Sequence, residues 1–121
     1  MFRHVKFAEL PVVDQGRAVA FYRDALGLQV GVDDSSQGAW RWIELKIPGA
    51  KTRLLLTKRE GEPRQEPALV LVADDVGAAH EMLTSRGVVF TQPPAPAPWS
   101  GGETYALFRD SEGNIVMLAS H

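Results

Sequence analysis

Residues 12–28, VVDQGRAVAFYRDALGL, decide how the rest of the chain is read. Ala18, Phe21, Tyr22, Ala25 and Leu26 fall at i, i+3, i+4, i+7 and i+8, the apolar stripe of an amphipathic helix, while Arg17, Arg23 and Asp24 lie off it. Asp14 stands where an N-cap accepts from free helix N–H groups, and Gly27 where a left-handed residue stops the helix. The same punctuation returns in residues 72–90, VADDVGAAHEMLTSRGVVF. A shift of sixty places Val12 on Val72, Asp14 on Asp74, Ala18 on Ala78 and Gly27 on Gly87, which predicts a structural repeat half the chain long.

At 121 residues the chain is expected to be one domain, 1–121, because two halves of this size would each bury too little surface to stand comfortably alone. A formal net charge of −2 with interspersed signs argues against a nucleic-acid partner, which calls for a basic patch. With no cysteine there is no disulfide framework, thiolate metal site or cysteine nucleophile. MFRHVKFAEL lacks the apolar core of a signal peptide, and no stretch approaches the roughly twenty apolar residues of a membrane span. The expectation is a cytoplasmic protein with no membrane partner.

In chain order, residues 3–13 read as a strand, with Val5, Phe7 and Glu9 on one face and His4, Lys6, Ala8 and Leu10 on the other. After the helix come a strand over 28–32, a turn or loop over 33–38, a strand over 40–47 and another over 53–57. On the third strand Trp40, Trp42, Glu44 and Lys46 share a face. The charged, proline-broken stretch 59–67 reads as a linker between module one, about 1–58, and module two, about 68–121. The second half repeats the order: a strand over 68–73, a helix over 76–86, a strand over 88–91 and a closing hairpin, 105–109 and 115–119, around DSEGN. QPPAPAPWSGG, 92–102, reads as a stiff, extended surface loop. The fold class is α+β: two tandem βαβββ modules.

These modules, the FYRDALGL helix end and the FRDSEGNIVML hairpin together resemble the vicinal oxygen chelate superfamily of glyoxalases, bleomycin-resistance proteins and extradiol dioxygenases. The resemblance covers essentially the whole chain. It implies a curved mixed-sheet cup with helices outside, homodimerisation, and in the enzymes a divalent metal held by His and Glu side chains from four strands. Carried over one at a time, the four ligand positions fall on Phe7, Glu44, Ala68 (with Pro67 the nearest alternative) and Met117. Only Glu44 can donate to a metal, and one carboxylate does not hold a transition ion selectively, so no metal and no cofactor is expected. A slip of the first strand would bring Glu9 beside Glu44 but leave His4 on the opposite face.

Phe7, Trp40, Trp42 and Met117 either line an aromatic pocket or fill a core. Glu44 either receives a ligand's ammonium or hydroxyl, acts as a base, or is a rim carboxylate paired with Arg53, Lys46 or another basic side chain. Glu9, Trp99 and Tyr105 complete the candidate ligand-binding set, and no catalytic residue is assigned. His4, His80 and His121 form no constellation, and Gly101 and Gly102 precede no helix that would cradle a phosphate. The expected function is metal-independent binding of an aromatic or hydrophobic small molecule, sequestering or sensing it. The alternatives are a glyoxalase-like or dioxygenase-like enzyme using Glu44 with non-family metal ligands or as a base, and an interaction module built on the 92–102 loop.

Overall fold

A computed structural model describes residues 1–99 and 101–121. Ser100, within the stretch read as a loop, lies outside the described residues. The chain divides into two compact units, Met1–Glu62 and Pro63–His121, and the division falls inside the 59–67 stretch.

The first unit runs β1 (Phe7–Val12), α1 (Gln15–Asp24), β2 (Gln29–Asp34), β3 (Trp42–Lys46) and β4 (Arg53–Lys58). Its sheet has the order β1-β4-β3-β2, with β1 parallel to β4 and the other pairs antiparallel. Period-two alternation decides the faces: Leu10, Val12, Ile43, Leu45, Leu54 and Leu56 are buried on one side. Phe7, Glu9, Trp42, Glu44, Arg53, Leu55 and Thr57 lie on the other. Asp14 caps α1, accepting from the Arg17 amide at 3.0 Å, and Gly27 takes φ +76° just past the helix end. Ala18 and Tyr22 of the expected stripe are fully buried. Trp40 stands outside β3, because the strand begins only at Trp42, and β2 extends through Asp33 and Asp34, where the sequence predicts a turn or loop.

The second unit repeats the order: β5 (Leu69–Val72), α2 (Val76–Ser85), β6 (Phe90–Pro96), β7 (Thr104–Arg109) and β8 (Ile115–Ala119) in a sheet ordered β5-β8-β7-β6. The fold is α+β, with two four-stranded mixed sheets. The helix does not follow the sixty-residue shift, however. Its cap is Asp75, whose carboxylate accepts from the Ala78 amide at 2.9 Å, and Ala78 itself is exposed. One extra residue between β5 and α2 moves the helical register to sixty-one, so that Val76 and Leu83 take the buried places of Gln15 and Tyr22. Asp75→Ala is therefore expected to cost about 1 kcal/mol, against a few tenths for Asp74→Ala, read as denaturant midpoints.

The proline-rich stretch is also strand rather than loop as far as Pro96. Pro93, Pro94 and Pro96 lie in β6, an edge strand whose register against β7 shifts between Phe90 and Gln92 and again between Gln92 and Ala95. An edge strand with bulges tolerates residues that lack a ladder N–H. The closing hairpin turns on Asp110, whose side chain accepts from the amides of Glu112 and Asn114, both at 2.8 Å, with Gly113 at φ +80°. His80 is half-buried, its ring edge-on to Phe90 at 4.5 Å, and Phe90 lies 5.3 Å from Phe108.

Candidate functional site: an aromatic cleft beside a clamped carboxylate

The exposed-side residues of β3 and β4 make one connected polar and aromatic group. Trp42 and Glu44 are two apart on a strand, so both side chains rise from the same face, and the Trp42 Nε1–H donates to Glu44 Oε2 at 2.8 Å. Arg53 reaches across from β4 and donates Nη1–H to Glu44 Oε1 at 2.9 Å. Its guanidinium fits because β2 is irregular between Val30 and Val32 and carries Gly31 there: a Cβ at Gly31 would stand only 2.7 Å from Arg53 Nη1. The Phe7 ring meets Trp42 edge-on at 5.9 Å, with the Lys6 ammonium 5.4 Å from the Phe7 centroid. The rim reading of Glu44 thus holds for Arg53, to which the Trp42 indole adds a second donor.

The Trp42 hydrogen bond draws the Glu44 pKa below its ordinary 4.5; burial opposes this, and the hydrogen bond and charge of Arg53, with the charge of Lys6, reinforce it. The stability this carboxylate contributes is present above the ordinary value and is lost as the pH falls through the lowered folded value. In an NMR titration of the side-chain carboxyl, Trp42→Phe and Arg53→Gln should each raise the Glu44 midpoint. Unmoved midpoints in both variants would exclude the clamp.

Beside this group the sheet opens. β3 pairs with β4 only from Glu44–Leu55 to Lys46–Arg53; beyond Leu55 the two part. The gap is a cleft of about 290 Å³ lined by Trp40, Trp42, Leu55 and Thr57, with Gln37, Arg41, Leu56 and Lys58. Two contacts hold its wall. Trp40 Nε1–H donates to the Leu56 carbonyl at 3.3 Å, capping an acceptor next to the end of the ladder, and Gln15 of α1 both donates to the Arg41 carbonyl at 2.7 Å and accepts from the Arg41 amide at 3.1 Å.

Of the eight residues named from sequence, Phe7, Glu9, Trp42 and Glu44 share one face of the first sheet and Trp40 joins Trp42 at the cleft. Trp99, Tyr105 and Met117 belong to the second unit. There the Trp99 ring lies 5.3 Å from Tyr105 and its Nε1–H donates to Glu103 at 2.7 Å, while Met117 is two register steps along β7–β8 from Tyr105's partner Ala119. Sequence reasoning missed Gln37, Arg41, Leu55, Leu56, Thr57 and Lys58, since nothing in their pattern marks where a ladder ends. The Trp-x-Glu spacing, by contrast, did place the indole and the carboxylate on one face of the strand.

The residues present do not fit a divalent metal of the kind the superfamily's enzymes carry. Both Glu44 oxygens already accept from Trp42 and Arg53, and Phe7, Ala68 and Met117 supply no hard donor. Among the described residues no group of three or more His, Cys, Asp or Glu side chains is gathered in one place.

The sequence matches the Glyoxalase/Bleomycin resistance protein/Dioxygenase superfamily over residues 2–118. The chain belongs to this superfamily. Within it, the chain is 31% identical to TnmS3, an antibiotic binding protein from Streptomyces sp. CB03234, at a TM-score of 0.84 over 98% of this chain and 96% of that one. A superfamily member from Sphaerobacter thermophilus DSM 20745 is 30% identical, with a TM-score of 0.86 over 99% of this chain and 98% of that one. YetH of Bacillus subtilis (strain 168) is 25% identical over 121 residues, 98% of each protein.

Proposed function

We propose that this superfamily member binds a small planar organic molecule in the cleft between Trp40 and Trp42, without a metal, and so sequesters or senses it. The observation that carries this reading is the cleft itself: about 290 Å³ beside two indoles and Leu55, close to the lower size limit of small-molecule sites. Antibiotic binding by TnmS3 supports a ligand of that general kind, and Phe7 and the clamped Glu44 would shape the neighbouring surface. Trp99, Tyr105 and Met117 would supply a second apolar group on the other unit. The working form would be a cytoplasmic homodimer.

The enzymatic alternative has less behind it. A carboxylate whose pKa is held low by Trp42 and Arg53 is a weak general base, because efficient bases have values near the working pH. The test is equilibrium titration of polycyclic aromatic compounds followed by tryptophan fluorescence, run in chelator and again with added zinc, nickel or manganese. Saturable binding with the same Kd in every condition is expected. Binding that requires the metal would overturn metal independence, and no binding across the panel would overturn the reading.

A further inference from the structure

The cleft has a charge asymmetry that narrows its ligand. Among the described residues its wall contains two basic side chains, Arg41 and Lys58, and no carboxylate. Arg41 is partly neutralised, its Nη1 lying 3.5 Å from Asp33 Oδ2. Lys58, exposed at the end of β4, makes no side-chain hydrogen bond or ion pair among the described residues.

The neighbouring carboxylates are turned to other partners or lie outside the wall. Glu44 accepts from Trp42 and Arg53, and the Arg53 guanidinium offsets the negative charge that would otherwise draw a cation to this face. Asp34, the register partner of Trp42, accepts from the Ser36 amide at 2.8 Å and is not part of the wall. Glu9 sits on β1, opposite Leu55 on β4, and is exposed to water.

We infer that the ligand is an aromatic anion, its planar body against the Trp40 and Trp42 indoles and its carboxylate or phenolate oxygen next to Lys58. This rests on the small-molecule reading above and adds a charge preference to it. A cationic ring system of the same shape would meet an unpaired ammonium with no acid in the wall to offset it.

The test uses three probes of one shape, naphthoate, naphthamide and naphthylmethylammonium, titrated calorimetrically into wild type, Lys58→Gln and Lys58→Glu. Because Lys58 is exposed, both variants should keep the wild-type thermal midpoint. Wild type should bind the carboxylate roughly fivefold tighter than the amide, as for one half-exposed charge pair, and the ammonium weakest. Lys58→Gln should level the carboxylate with the amide, and Lys58→Glu should place the ammonium first. Equal binding of all three probes, or a carboxylate preference that survives Lys58→Gln, would overturn the inference and leave the small-molecule reading standing. No binding of any probe would overturn both.

Discussion

Phe108→Ala should lower unfolding stability by about 3–5 kcal/mol, the usual cost of emptying a fully buried aromatic site. Phe108 has no exposed surface; it pairs across the ladder with Val116, and its ring lies against Phe90, which in turn meets His80 on α2. The truncation removes the middle of that chain of contacts between helix and sheet, and strand backbones hydrogen-bonded on both sides cannot collapse to fill the space. The thermal midpoint should fall by roughly 10–25 °C. Phe108→Leu, which refills most of the volume, should cost clearly less. Phe2→Ala, at a ring 93% exposed, should stay within about 0.5 kcal/mol of wild type. Similar midpoints for Phe108→Ala and Phe2→Ala would contradict this account of the second unit's core.

Trp42→Ala should weaken ligand binding by tenfold or more, on the order of the 2 kcal/mol that marks an interface hot spot, while costing the fold much less than Phe108→Ala. The indole plays three parts at once: it walls the cleft, meets Phe7 edge-on and donates to Glu44. Trp42 is 43% exposed, so less of its surface leaves a dry environment than at the fully buried Phe108. Trp42→Phe separates the parts, because it keeps a ring in the cleft but removes the N–H. That variant should retain most of the affinity while Glu44 titrates higher. Full affinity in Trp42→Ala would move the site away from the cleft.

How far the sequence could be read depends on whether a feature is local. Asp14, Gly27 and the Ala18–Tyr22 stripe act within one helix, so residue type and spacing were enough to find them. The sixty-residue repeat puts the N-cap of α2 one residue early, on Asp74, because two adjacent aspartates offer the same chemistry and only the length of the β5–α2 connection selects Asp75. Residue type alone ends β6 at its prolines, short of Pro96. Their missing N–H groups argue against a central strand but not against a bulged edge, and which strand is an edge is a matter of topology.

The candidate site divides in the same way. Trp42 and Glu44 share a face by parity, and that was visible. The grip of Arg53 depends on Gly31, on a strand two places away in the sheet, and the cleft depends on β3 and β4 parting beyond Leu55. Neither long-range event leaves a pattern in the sequence. Trp40, read as the first residue of β3, instead caps Leu56 from outside the strand, and so belongs to the wall of the cleft rather than to the sheet.

The most direct test of the central claim, that the ligand sits between Trp40 and Trp42, is a proton–nitrogen correlation spectrum of the three tryptophan indole N–H groups during titration with an aromatic ligand that saturates. The Trp40 and Trp42 signals should move together and fit one Kd equal to that from fluorescence. Movement confined to Trp99, with Trp40 and Trp42 unchanged at saturation, would contradict it.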